Sequence, residues 1–268
     1  MDSPLTRFKY LYKQELQTGA TALMFMTRLP VGGYGSGCPA VLARATVYFP
    51  VIGLLIGVLM AGFASVIASL WSAEVVATLV VIAAIICTGA FHEDGLADVA
   101  DSFGAWDRDR KLEVMRDSRV GTYGSVALVM CLVLSVYCLA AVLQHGGAGI
   151  LSAMLICGHV LGRWSSLPLI FFTPYAREDS ANKVIAEGVT LVRLAMGTLL
   201  MLLSLLPALI LGAHPGTVAL ALTVTAVIVL LSHWWYRRCI GGITGDCLGA
   251  SNKICEVVCY LVFAAAAT

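Results

Sequence analysis

The sequence predicts an all-α, polytopic integral membrane protein with about seven transmembrane segments. Three observations carry that prediction. Of the 268 residues, 59% are hydrophobic and only 12% charged, with a mean hydropathy of +0.89; soluble domains carry about a quarter charged residues. The apolar residues are gathered into long uncharged runs, such as the 17 residues from Val75 to Phe91. The basic residues, finally, avoid every second connection between those runs.

Each element follows in order. The first 17 residues are polar and mixed in charge, and the stretch from Leu11 to Leu29 is expected to lie along the membrane interface as an amphipathic helix. Residues 1–45 thus form a cytoplasmic or interfacial segment, and 46–268 form the bundle. Seven hydrophobic segments are read: Thr46–Trp71, Val75–Phe91, Gly124–Leu143, Gly149–Phe172, Leu194–Leu211, Thr217–Trp235 and Ile254–Ala267. Phe49-Pro50 and Trp71 frame the first as a helix start and an interfacial anchor. The last is short and carries Glu256, so a re-entrant or tilted course is an alternative to a full crossing. Gly53/Gly57 and Gly158/Gly162 have the small-xxx-small spacing of close helix packing.

The connections Ser72–Glu74, Gln144–Ala148 and Gly212–Gly216 contain no Lys or Arg, so 16 of the 17 basic residues fall on one side and Arg163 lies inside a segment. The positive-inside bias makes that side the cytoplasm, with the N-terminus there too. The long loops 92–123, 173–193 and 236–253 share that side and carry most of the acids. The chain therefore reads as a single membrane-embedded domain, 1–268, with a working surface on the cytoplasmic face and multi-pass insertion in the cell's inner membrane. A net charge of +1 gives no sign of nucleic acid as a partner; the lipid bilayer is the evident one, and a homo-oligomer is compatible with the composition. The nine cysteines are odd in number and form no CxxC pair, so they read as small apolar side chains.

Three polar stretches concentrate the chemistry. The first, "FHEDGLADVADSFG", places Glu93, Asp94, Asp98 and Asp101 directly after an apolar run. If the helix continues, Asp94, Asp98 and Asp101 fall at i, i+4 and i+7 on one stripe, while Glu93 points away. Aligned carboxylates repel unless a cation sits among them, and oxygen ligands suit Mg²⁺ or Mn²⁺. The blander alternative is a solvated acidic cap, but here the acids follow an apolar run, where a helix dipole disfavours them. In the second stretch, "EVMRDSRVGTYGSVALV", Arg116 and Arg119 sit three apart beside Ser118 and a glycine-containing helix start at Gly121 and Gly124. This suits a phosphate or diphosphate, against the alternative of a simple positive-inside anchor. The third, "GGITGDCLGASNKICE", offers close backbone approach at its glycines and a further carboxylate, Asp246, as metal ligand or base. His159 and Arg163, four apart inside a segment, are candidates by virtue of being ionisable in the membrane.

These residues resemble the cobalamin synthase family, the adenosylcobinamide-GDP ribazoletransferases. The resemblance runs over nearly the whole chain, through "MTRLP" (26–30), "YFPVIGLLIG" (48–57), "FHEDGLADVAD" (91–101), "VMRDSRVGTYG" (114–124), "YARED" (175–179) and "GGITGDCLGA" (241–250). It implies that α-ribazole, or its 5′-phosphate, attacks the phosphorus next to the cobinamide aminopropanol of adenosylcobinamide-GDP and releases GMP, with Mg²⁺ as cofactor. On that reading Asp94, Asp98 and Asp101 bind the metal, and Asp246 is a second ligand or general base. Arg116, Ser118, Arg119, Gly121 and Lys253 hold the diphosphate, and Arg28 touches substrate or anchors the N-terminal segment. Ser102 and Asp179-Ser180 depart from the family pattern, and Glu93 stands where it often has an apolar residue. Of the rival readings, a CDP-alcohol phosphotransferase wants Arg where Asp98 stands. A corrinoid transporter wants polar groups near the midplane. A structural scaffold needs no aligned acids.

Overall fold

The computed structural model describes residues 4–177 and 188–267. Glu178 and Asp179 of "YARED", and with them Ser180 and Lys183, lie outside the described residues. Eleven α-helices are described: α1 (Pro4–Met26), α2 (Pro39–Ala45), α3 (Phe49–Ile67), α4 (Ala73–Thr88), α5 (Phe91–Asp101), α6 (Arg108–Val114), α7 (Thr122–His145), α8 (Gly147–Phe172), α9 (Leu191–Ile210), α10 (Pro215–Ile240) and α11 (Gly245–Ala267). Their starts follow local chemistry. Pro39 and Pro215 occupy the first turns of α2 and α10, where a missing N–H costs nothing. Asp107 accepts from the amide of Arg110 at 2.8 Å to open α6, and Thr190 accepts from that of Arg193 at 3.3 Å to open α9.

Among the described residues, six helical stretches are long and apolar enough to cross a membrane: 39–67 and helices α7 to α11, while α4 with α5 forms a bent pair. The segment read as Ile254–Ala267 is the second half of a longer helix, α11, whose 23 residues suffice to span. Its polar first half, Gly245 to Lys253, hides that length from a hydropathy reading.

α8 is the axis of the bundle. Every residue from Leu151 to Ile170 is buried except the half-buried Trp164. Two glycine pairs let neighbours approach it. A Cβ on Gly53 or Gly57 of α3 would stand 2.4 Å from the His159 carbonyl oxygen or 2.7 Å from the Ile156 Cα. On α8 itself, a Cβ on Gly158 would meet the Tyr260 ring at 2.4 Å, and one on Gly162 the Asn252 amide at 2.8 Å. The small-xxx-small reading of the sequence thus describes both faces of α8, one against α3 and one against α11.

The connections sort into two ends. At one, Gln144 donates to Glu74 at 2.7 Å and Gly149 packs on the Leu211 carbonyl, so the three connections without Lys or Arg meet there. The other end gathers α5, α6 and a short parallel bridge between Tyr175 and Ile243. All nine cysteines are free, and only Cys38, at the start of α2, is exposed.

Candidate functional site

The acidic stretch does not continue the apolar helix before it. Gly89 (φ 70°) and Ala90 (φ 58°) both adopt the left-handed conformation, which ends α4 and swings α5 away by 91°. Glu93 and Asp94 therefore lie in the first turn of a new helix, where the dipole favours carboxylates. The expectation that they stand at an unfavourable C-terminal end is corrected by this corner. Arg28 supports it from behind: its amide donates to the Cys87 carbonyl at 2.7 Å, and its side chain lies against Gly89. Arg28 thus caps the carbonyl end of α4.

α5 then lies against the start of α11. A Cβ on Gly95 would stand 2.7 Å from the Asp246 carbonyl oxygen, and Gly249 faces it from α11. This glycine contact puts Asp94 and Asp246 in the lining of one cleft of about 210 Å³, which the apolar Phe25, Leu42, Phe49 and Phe91 also line. Asp246 is held by Thr244, whose hydroxyl donates to Oδ2 at 3.1 Å, and by Arg177 at 3.4 Å. Asp98 stands behind, on the amphipathic α5, outside the six spanning stretches. Burial pushes its carboxyl up to about 7, reinforced by the charges of Asp246, Asp94 and Asp101 and opposed by Arg177.

Asp101 is committed elsewhere. Its two oxygens accept from the amides of Gly121 at 2.7 Å and Gly124 at 2.8 Å, at the start of α7. A carboxylate of the chain itself thus fills the helix N-terminus that the sequence offers to a phosphate, and Gly121 and Gly124 are glycines because a Cβ there would strike Asp101. The expected set of Asp94, Asp98 and Asp101 is accordingly not assembled as a cage. Among the described residues, no group of three or more His, Cys, Asp or Glu side chains is arranged to hold a metal ion. What the cleft does offer is the chemistry of Mg²⁺: hard carboxylate oxygens from Asp94 and Asp246, a number that suits an ion completing its shell with substrate phosphate and water.

The basic residues divide. Lys253 is 4% exposed, 2.9 Å from Glu93 and 2.7 Å from Glu256. Glu256 also meets Arg163 at 2.5 Å and His159 at 2.9 Å. Lys253 is therefore part of a buried ion network, turned onto carboxylates of the chain itself, and Glu93 is its partner. Two carboxylates balance Lys253 and Arg163, which is how α5, α8 and α11 carry charge in the interior. Arg119 forks onto Asp117, with Nη2 at 2.6 Å and Nε at 3.0 Å, and this hydrogen bonding holds the exposed Asp117 carboxyl down to about 2. Arg116 and Arg119 border an open hollow of about 300 Å³ that includes neither Asp94 nor Asp246, and Ser118 is exposed beside them. Two arginines that the sequence reading left without a role stand nearer. Arg177 meets Asp246, and Arg108 donates to the carbonyls of Ile240 at 3.0 Å and Ala176 at 2.9 Å. Only the motif "YARED" signalled Arg177; nothing in the sequence signalled Arg108.

Residues 19–264 match a family described as cobalamin-5-phosphate synthase. Curated relatives named adenosylcobinamide-GDP ribazoletransferase are similar over nearly their whole length. The protein of Shewanella amazonensis is 38% identical, and that of Shewanella piezotolerans 36%, each over 94% of this chain and 96% of the relative. The protein of Albidiferax ferrireducens is 34% identical over 90% of this chain and 94% of its own. No solved structure matches.

Proposed function

The chain belongs to the cobalamin-5-phosphate synthase family, and from that premise we propose that it acts as an adenosylcobinamide-GDP ribazoletransferase. It joins the phosphate of the cobinamide to α-ribazole or its 5′-phosphate and releases GMP. The new O–P bond forms from a ribose hydroxyl as the P–O bond to GMP breaks. The hydroxyl proton passes to a carboxylate at the site. Asp98, committed neither to the metal nor, like Asp101, to backbone amides, is the carboxylate left for that transfer.

The observation that carries this reading is that Asp94 and Asp246 line one cleft together with the apolar side chains of Phe25, Leu42, Phe49 and Phe91. A corrinoid is large and partly apolar, and the diphosphate it carries is strongly anionic, so a cleft of mixed lining suits it. Mg²⁺, where bound, neutralises diphosphate oxygens and polarises the phosphorus; Asp94 and Asp246 are the residues that would hold it. The Phe25, Phe49 and Phe91 wall would seat the apolar part and exclude water. We place the protein in the inner membrane with the cleft toward the cytoplasm. The support is the exclusion of Lys and Arg from the three short connections at the far end.

The test is GMP release by detergent-solubilised protein given adenosylcobinamide-GDP, α-ribazole phosphate and Mg²⁺. GMP should appear, stop on adding EDTA, and fall by about 100-fold or more in Asp94→Asn. Absence of GMP release from well-folded protein sinks the assignment. Full activity in EDTA sinks the metal.

A further inference from the structure

Arg177 has a position that no residue assigned above shares. It stands on the partition between two cavities. On one side, its Nη2 reaches the Oδ2 of Asp246 in the wall of the carboxylate cleft. On the other, it lines an open hollow of about 480 Å³ together with Arg108 and Arg116. Its side chain is 17% exposed, and its Nε is buried with no hydrogen-bond partner among the described residues. A buried guanidinium N–H without a partner is costly unless a ligand supplies the acceptor.

The chain fixes this side chain in place. Residues 174–176 pair with Ile243, whose amide donates to the Pro174 carbonyl at 2.9 Å and whose carbonyl accepts from the Ala176 amide at 2.9 Å. Gly242 permits the approach, since a Cβ there would lie 2.3 Å from the Pro174 oxygen. Arg108 braces the same bridge by donating to the Ala176 and Ile240 carbonyls, so its own guanidinium is largely spent on backbone. Arg108 is therefore a positioning residue, while Arg177 and the exposed Arg116 keep donors for a ligand. Two acids also line the hollow, Glu113, drawn off by Arg110 at 2.7 Å, and Asp109, paired with Arg108 at 3.3 Å, which leaves Arg116 and Arg177 as its uncommitted charges.

We propose that Arg177 and Arg116 form the subsite for the leaving nucleotide: Arg177 grips the diphosphate between the two cavities, and the nucleoside monophosphate departs along the arginine-lined hollow. This rests on the transferase reading above. A guanidinium at 3.4 Å from its carboxylate is loosely paired and can turn its fork onto a phosphate without breaking a strong bond. Such a clamp also weakens as soon as the diphosphate splits, which favours release of the monophosphate.

The experiment compares wild type with Arg177→Met, Arg177→Lys and Arg177→Ala, all shown monodisperse in detergent. Wild-type GMP release is the first arm; its absence counts against the transferase reading and not against this subsite. Given an active wild type, Arg177→Met should lose about 100-fold in kcat/KM for adenosylcobinamide-GDP. The KM for α-ribazole phosphate should move less than about threefold. Added guanidinium should restore Arg177→Ala by about tenfold or more, and Arg177→Lys should lie between. Direct binding of GMP should weaken about tenfold in Arg177→Met and in Arg116→Met. Should Arg177→Met fail to fold, guanidinium rescue of Arg177→Ala and the Arg177→Lys kinetics decide the matter alone. The proposal is overturned by kcat/KM within threefold of wild type in Arg177→Met or Arg177→Lys, or by a rescue that guanidinium does not give.

Discussion

At the scale of single residues, burial decides roles that residue type leaves open. Lys253 and Arg177 are both basic and both stand in or just beyond a matched motif, yet one is sealed among Glu93 and Glu256 and the other lines an open hollow while reaching Asp246 of the cleft. Removing one partner of a buried ion pair leaves an uncompensated charge at a cost of about 3–5 kcal/mol. Lys253→Met should therefore lower the melting temperature of the detergent-solubilised protein sharply, whereas Lys253→Arg keeps most of it. Any folded fraction of Lys253→Met should bind adenosylcobinamide-GDP as wild type does. A stable Lys253→Met protein with a raised KM would restore Lys253 to the substrate site. This distinction was not legible in the sequence, because positions 93 and 253 are joined only by the fold. The carboxylates were legible: Asp94 and Asp246 stood out as acids beside apolar runs, and both line the cleft.

Elements matter through where they stop. The α4–α5 corner was invisible to hydropathy, which counts Phe91 as the end of an apolar run; its signal is two consecutive left-handed residues, of which only Gly89 is a typical choice. The consequence for packing is testable at Gly95. A methyl there would sit 2.7 Å from a backbone oxygen of α11, with no flexible side chain to move aside. Gly95→Ala should push the two helices apart, cost about 1–3 kcal/mol and abolish most GMP release. Gly62→Ala, with nothing within 4 Å of the new carbon, should be silent by both thermal melting and activity. Likewise Asp101→Ala frees two amides at the start of α7 and should destabilise by about 1–2 kcal/mol, while Asp101→Asn keeps an acceptor and loses less. If Asp101→Asn instead kills activity with an unchanged melting curve, the residue belongs with the reacting groups after all.

On the scale of the whole molecule, the crossing segments were largely readable, because a bilayer imposes length and charge rules strong enough to show in one sequence. The last of them was under-read because its first half carries the polar motif of the site. The two ends differ in kind: short turns without Lys or Arg at one, every candidate catalytic carboxylate at the other. Reporter fusions placed at residues 72, 146 and 213 should all register outside the cytoplasm, and fusions at residues 106 and 241 inside it; mixed signs would reverse or refute the topology. The lone exposed cysteine has a practical use. Cys38 precedes α2, whose Leu42 lines the cleft, and the other eight thiols are at least partly buried. A maleimide dye would therefore settle at one native position beside the mouth of the enzyme, turning the unmodified polypeptide into an optical sensor of whether its corrinoid has arrived.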